Sequence, residues 1–244
     1  MPLVADAYAT ASLRDGSTYL SSLRSQVPLS LRPTAGGLTV VASAFGPLGG
    51  DSTSLRVSVE SGACLRVGSS AAQVAQAGPV DPLSRATVRL DVGEAGRLVW
   101  APEPLVVTTG AEHLLDLQVV AATGSRVLLA ETAALRGGRY RSTWRVSYDG
   151  IPLLAADLDL GAGAPEGWDG PAGTGGATIL VTALLVGATV PPGPFAGGEV
   201  LDLAGPGVLL QWLGDDAVAA RACLDAFLAA AAVINTIVTS ALHP

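Results

Sequence analysis

Gly62-Ala63-Cys64-Leu65-Arg66-Val67 is a compact pattern: two small residues, then apolar side chains at alternate positions. It returns as Ala95-Gly96-Arg97-Leu98-Val99-Trp100 and again as Gly124-Ser125-Arg126-Val127-Leu128-Leu129, a spacing of about 30 residues that marks a structural repeat. A strand-like run precedes each copy, at Leu55–Glu60, Ala86–Val92 and Leu114–Ala121. The unit is therefore strand, tight turn, strand. At near-constant period this predicts a mostly β chain of stacked rungs, a sheet-layered or β-helical body. A sandwich of regular hairpins is the alternative that the same pattern allows.

Just beyond the second copy lies Trp100-Ala101-Pro102-Glu103-Pro104-Leu105. Both prolines fix φ and lack an N–H, so the chain must turn a corner here or run along an edge. Glu103 is then a carboxylate held on rigid backbone between apolar runs. Further strands are expected at Thr18–Leu23, Val27–Leu31, Leu38–Ala42, Tyr140–Tyr148, Ile151–Leu154, Asp157–Leu160, Thr178–Val186 and Val208–Leu213. Asp149-Gly150 supplies a hairpin turn, and Gly161–Gly176 reads as a loop. Helix enters late. Asp215 or Asp216 can cap a helix from Ala217 to about Ile234, with Leu224, Phe227, Leu228 and Ala231 on one face. A shorter helical piece is expected around Pro194–Leu203.

Composition narrows the function. Of 244 residues 49% are apolar and 14% charged, so a large core is available and disorder is excluded. Mean hydropathy is +0.46, an apolar balance that points to broad buried sheets and a surface needing a partner. A net charge of −7 argues against nucleic acid or anionic membrane as partner. All 14 basic residues are arginine, which excludes a Schiff-base or P-loop lysine. Two distant cysteines, Cys64 and Cys223, read as lone thiols in a reducing cytoplasm. No signal peptide is expected at Met1–Asp6. The uncharged stretch Gly170–Gly198 is too interrupted by glycine and proline to span a membrane, and Ala226–Leu242 reads as a packed terminal helix.

No enzyme motif is present: no GxSxG elbow, HExxH or phosphate-cradling loop. The only histidines are His113 and His243, too few for a high-affinity zinc or nickel centre. The candidate ligands are carboxylates. Asp51 follows two glycines, Glu103 sits at the proline corner, and Glu131 falls in the apolar run Val127–Thr132. A buried carboxylate needs a partner. Either Arg136, Arg139 or Arg141 pairs with Glu131, or Glu131 belongs to a polar path through an apolar body.

Taken in order, several segments resemble the urease accessory protein UreD (UreH) family. They are Pro47-Leu48-Gly49-Gly50-Asp51, Gly62–Val67 with Ser69-Ser70-Ala71-Ala72, Trp100–Leu105, Glu131 before Arg136-Gly137, and Tyr148-Asp149-Gly150-Ile151-Pro152-Leu153-Leu154. The likeness implies one domain over residues 1–244, with a two-layer β-helical stack and about two C-terminal helices. It implies a non-enzymatic urease maturation factor, a cytoplasmic scaffold and nickel conduit. With UreF and the GTPase UreG, such a protein delivers Ni2+ to apo-urease and holds no stable cofactor. Asp51, Glu103 and Glu131 would be transient nickel contacts, and the Leu224, Phe227 and Leu228 face would meet the body or UreF. The chain departs from the family at Gln73-Val74, where Thr-Lys is common, and at Tyr140-Arg141-Ser142, where Gly-Glu is common. The competing class is a β-helical carbohydrate-active hydrolase or lyase with paired carboxylates. Its sugar-binding aromatics are missing, since only 5% of residues are aromatic.

Overall fold

The computed structural model describes residues 2–35, 37–190 and 195–235. Its strands, in chain order, are β1 (Val4–Arg14), β2 (Ser17–Arg24), β3 (Leu29–Thr34), β4 (Gly37–Ala42), β5 (Ser52–Val59), β6 (Cys64–Ser69), β7 (Gln73–Ala75), β8 (Leu83–Val92) and β9 (Arg97–Ala101). They continue as β10 (Leu105–Thr108), β11 (Glu112–Ala121), β12 (Arg126–Arg136), β13 (Arg139–Tyr148), β14 (Ile151–Gly161), β15 (Ile179–Val186), β16 (Glu199–Asp202) and β17 (Gly207–Gly214). A single helix, α1 (Ala217–Asn235), follows.

Two sheets face each other. One runs β14-β13-β11-β8-β5-β1-β2, and the other β16-β17-β15-β12-β9-β6-β4-β3, with β7 and β10 pairing beside it. Neighbouring rungs are parallel: β5 on β8, β8 on β11 and β11 on β13 in the first sheet, and β6 on β9 and β9 on β12 in the second. The chain thus winds as a β-solenoid of about four turns. The sequence repeat is its register, because Cys64 pairs with Arg97 and Arg97 with Arg126. Antiparallel strands close the stack at both ends, β2 and β3 at one, β14, β15 and β17 at the other.

Between the sheets, alternate residues interdigitate in a dry core that includes Val57, Leu90, Val119, Val127, Leu129 and Val146. The outer face of the first sheet carries exposed ion pairs such as Arg89–Asp91 and Arg145–Asp157, each worth about 0–1 kcal/mol. The outer face of the second sheet is covered by α1. Strand β15 is consequently buried on both faces along its whole length, which accounts for its unbroken apolar sequence.

Asp216 caps the helix, its Oδ1 accepting from Val218 N at 2.7 Å and Ala219 N at 3.3 Å. Ala220, Cys223, Leu224, Phe227 and Ala231 form the buried stripe against Val181, Leu210 and Trp212. Phe227 meets Phe195 edge-on, with centroids 5.6 Å apart. Leu224 and Phe227 thus pack on the chain's own sheet, with Leu228 half-buried beside them. Three expectations are corrected. One helix is found among the described residues instead of about two. In the region expected to hold a short helical piece, Glu199–Asp202 is strand β16, edge-paired with β17, while Pro194 lies outside the described residues. The two short strands expected at Ile151–Leu154 and Asp157–Leu160 are one strand, because β14 follows β13 past a bulge at Val146/Ser147 without breaking.

Phe227 has no exposed surface, so Phe227→Ala leaves a cavity between helix and sheet and costs about 3–5 kcal/mol. Urea unfolding at constant m-value measures this, and a loss below 1 kcal/mol would mean that α1 is not docked as described.

Candidate functional site: a polar chamber between the sheets

Toward one end of the rungs, polar side chains interrupt the apolar rows of each inner face. In the first sheet the last inward row is Asp51, Ser84, His113 and Tyr140. Ser84 and His113 are direct partners, as are His113 and Tyr140, and Asp51 stands beside Ser84 through the Arg85 N to Asp51 O bond. All four are buried. In the second sheet the inward positions of β12 run Val127, Leu129, Glu131, and Glu131 pairs directly across with Thr182. Thr182 pairs in turn with Gln211, and Gln211 with Glu199. This second row passes from the half-buried Glu131 to the exposed Glu199.

Where the two polar ends face each other, the core does not close. A cavity of about 130 Å3 is lined by His113, Leu115 and Trp144 on one side and by Trp100, Pro102, Glu103, Glu131 and Thr132 on the other. A second of about 40 Å3 shares His113, Thr53 and Gln73 with it and reaches Asp51. A third, of about 210 Å3, shares Val40 and Gln73 and is lined by Phe45, a residue 72% exposed. The three are linked by shared lining residues. The 130 Å3 cavity is walled mainly by apolar side chains, with Gln73, Glu103, His113 and Glu131 as polar points, and has room for several waters at roughly 10–15 Å3 each.

The three sequence-derived acids all border this chain of cavities, and each is held differently. Asp51 is a structural clamp as well as a lining residue: Leu3 N donates to its Oδ1 at 2.8 Å and Leu48 N to its Oδ2 at 3.0 Å. Glu103 sits on the rim. Its N–H donates to Ser69 Oγ at 2.8 Å, and its Oε2 faces Arg221 of α1 at 3.3 Å. Glu131 lies deep in the protein yet keeps accessible surface, and it borders the cavity. It has no arginine. Trp144 Nε1 donates to its Oε2 at 2.8 Å, and burial still pushes its carboxyl up to about 7, the indole bond only partly offsetting that. The expected arginine pairing is thus corrected. Arg139 and Arg141 sit at outward positions of β13 and bind Asp159 and Glu112, while Arg136 reaches Thr178.

His113 was legible only as a lone histidine. Strand parity is the signal that finds it, because it shares its face with the inward residues Leu117 and Val119. Burial drops its ring to about 4, so it is neutral at pH 7. Ser84 Oγ lies 3.2 Å from the Glu112 carbonyl oxygen and 2.9 Å from His113 Nδ1, within hydrogen-bond reach of both. Thr182 Oγ1 and the Tyr140 hydroxyl are buried without partners among the described residues. Among the described residues no group of three or more His, Cys, Asp or Glu is placed to hold a metal. The chamber offers scattered oxygen donors and one imidazole, a set suited to weak contact with a cation and not to a closed centre.

Glu131 and His113 act oppositely on stability. A carboxyl raised from 4.5 to about 7 destabilises the fold increasingly as pH rises through that interval, whereas a histidine lowered from 6.5 to about 4 makes stability rise with pH between those values. Glu131→Gln keeps an acceptor for Trp144 and removes only the first effect. Its stability relative to the parent should therefore grow from near zero at pH 4.5 to about 3 kcal/mol above pH 7. Urea unfolding of both chains across this range reads the difference. A gap that narrows with rising pH would show Glu131 to be ionised and well paired.

Comparison with known proteins fits this arrangement. The UreD urease accessory protein family model matches residues 5–241. Urease accessory protein UreD of Streptomyces coelicolor is 36% identical over 230 residues, covering 88% of this chain and 91% of that protein. Urease accessory protein UreD 2 of Saccharopolyspora erythraea is 37% identical over 243 residues, covering 89% and 86%. Urease accessory protein UreD of Streptomyces avermitilis is 34% identical over 226 residues, covering 86% and 90%. Among the described residues no helix is long and apolar enough to cross a membrane. With the family model spanning nearly its whole length, the chain belongs to the UreD family of urease accessory proteins, which are accessory factors and not catalysts.

Proposed function

We propose that this chain acts in urease maturation as a scaffold and nickel conduit, working in the cytoplasm with UreF and the GTPase UreG to deliver Ni2+ to apo-urease. The observation that carries the reading is the polar chamber inside an otherwise apolar stack, bordered by Asp51, Glu103 and Glu131. Ni2+ is cargo, so its contacts must be weak enough to release it, and separated single donors meet that need. The carbohydrate-active alternative has no footing, because the family relationship is to accessory proteins.

Asp51→Asn with Glu131→Gln removes two negative charges from the path while leaving one acceptor at each site. Coexpressed with urease, UreF and UreG, this double variant should lower the nickel content and activity of urease by about tenfold. Pull-down of UreF should be unchanged. Full nickel loading by the double variant would remove the conduit, and failure of the parent chain to retain UreF would remove the scaffold.

A further inference from the structure

We propose that residues 162–177 form a flap, latched by Trp168, that opens as a unit and uncovers the apolar cluster of Leu105, Leu135 and Tyr140 beside the chamber. The segment joins β14 to β15, and its hydrogen bonds turn inward on itself. Gly173 N donates to Gly170 O at 2.9 Å, Gly175 N to Gly170 O at 3.0 Å and Thr174 N to Trp168 O at 2.8 Å. Both ends hang from the β12–β13 connection. Ala162 N donates to Gly138 O at 3.1 Å, and just past the other end Leu135 N donates to Thr178 O at 2.7 Å. Asp215 fixes that second end, its Oδ1 accepting from Thr178 N and Oγ1. Between these anchors, among the described residues, no hydrogen bond or ion pair ties the segment to the rest of the chain. A self-bonded loop on fixed ends is an Ω-loop, a unit that can lift without disturbing the strands that carry it. Gly163 at φ 78° and Gly175-Gly176 at 60° and 85° stand just inside the anchors, where a hinge must absorb the change in backbone angle.

One side chain holds the flap down. Of residues 162–176 only Ala164, Trp168, Gly170 and Thr174 are half-buried, and the rest are exposed. Trp168 packs on the cluster together with Leu105 and Leu160. Leu105 also lines the 130 Å3 cavity, so the latch and the chamber share a wall. The seam is imperfect on both sides. The Tyr140 hydroxyl in the cluster and Thr174 Oγ1 in the flap are buried without hydrogen-bond partners among the described residues, a cost that the closed flap carries and that water removes when it lifts. The burial of one indole is thus set against two unpaired polar groups, which keeps opening within reach of the folded state.

Nitration by tetranitromethane, mapped by mass spectrometry on the full chain, reads the opening at Tyr140, which has no exposed surface while the flap is closed. Tyr19, 38% exposed, reports the activity of the reagent in each sample. Flap opening exposes little area, so the Tyr140 rate in the unaltered chain should stay constant through low urea. A reaction that needed global unfolding would accelerate there with the full m-value. Trp168→Ala should raise the Tyr140 rate about tenfold by populating the open form, while Trp168→Phe, which keeps a ring on the cluster, should stay near the parent. Nitration that climbs with urea in parallel with global unfolding would overturn the flap on the unaltered chain, whether or not the alanine variant folds. Alanine and phenylalanine variants that react at one rate would overturn the latch. The measurement uses no metal and no partner. Its failure therefore leaves the conduit standing, and full nickel loading by Asp51→Asn with Glu131→Gln would leave the flap standing.

Discussion

The hydrogen bond from Trp144 Nε1 to Glu131 Oε2 joins the two sheets between two apolar clusters, the long core on one side and the cluster of Ala133, Leu135 and Tyr140 on the other. An acid placed there must be protonated, fully hydrogen-bonded or bound to a cation. The protein gives it one indole N–H and no arginine, and that is too little to hold its carboxyl in the usual range. Everything else about the chamber follows from leaving this group incompletely satisfied. Around it the core leaves a cavity bordered by Thr132 and Pro102 on one wall and His113 on the other, while the next inward residue of β12, Ala133, is packed again. A leucine at position 131 would continue the row of Val127 and Leu129 and remove the reason for the cavity.

A solenoid is well suited to carrying such a feature. Its rungs are parallel and in register, so one inward position repeats along the stack as a row. The same geometry that stacks Val57, Leu90, Val119 and Val146 into core lines up Asp51, Ser84, His113 and Tyr140 a few residues earlier on the same strands. The dry half provides the cohesion and the polar half the chemistry. The helix stabilises the outer face of the second sheet and so leaves the inner face free of any structural duty at Thr182 and Gln211.

The rung register was legible in the sequence because it is a local property: the spacing from Cys64 to Arg97 to Arg126 is the pairing itself. The proline corner and the capped helix were legible for the same reason. What depended on partners distant in space was not. Glu131 was recognisable as buried, but its partner could not be chosen, since Trp144 and the three arginines are similarly near in sequence and only strand parity turns the indole inward and Arg139 and Arg141 outward. Asp51 was recognisable as special beside its glycines, yet its bond to Leu3 N joins neighbouring strand starts 48 residues apart in sequence and has no local signature. β1 escaped notice because its inward residues are alanines, Ala5, Ala7, Ala9 and Ala11, which carry little hydrophobic contrast. His113 was passed over because a histidine next to Glu112 looks like the end of a surface strand until its parity with Leu117 is counted.

The three acids also differ in how firmly they are fixed, and that order has a direction. Asp51 is held by two backbone N–H groups from the chain around it, and such charge-assisted bonds to backbone are strong and short-ranged. Glu131 is held by one indole and by burial. Glu103 is held by Arg221, an ion pair between side chains 38% and 58% exposed, which contributes at most about 1 kcal/mol. The group at the Asp51 end is therefore rigid, the middle is strained, and the rim at Glu103 is easily rearranged. Arg221 belongs to α1 and also bonds Asp225, so the carboxylate at the rim can exchange its arginine for another partner without disturbing the sheet. A resident metal centre would require the reverse, with its ligands converging and all equally fixed. On the proposed conduit reading, donors that tighten at one end and loosen toward the other are what a passing cation would need.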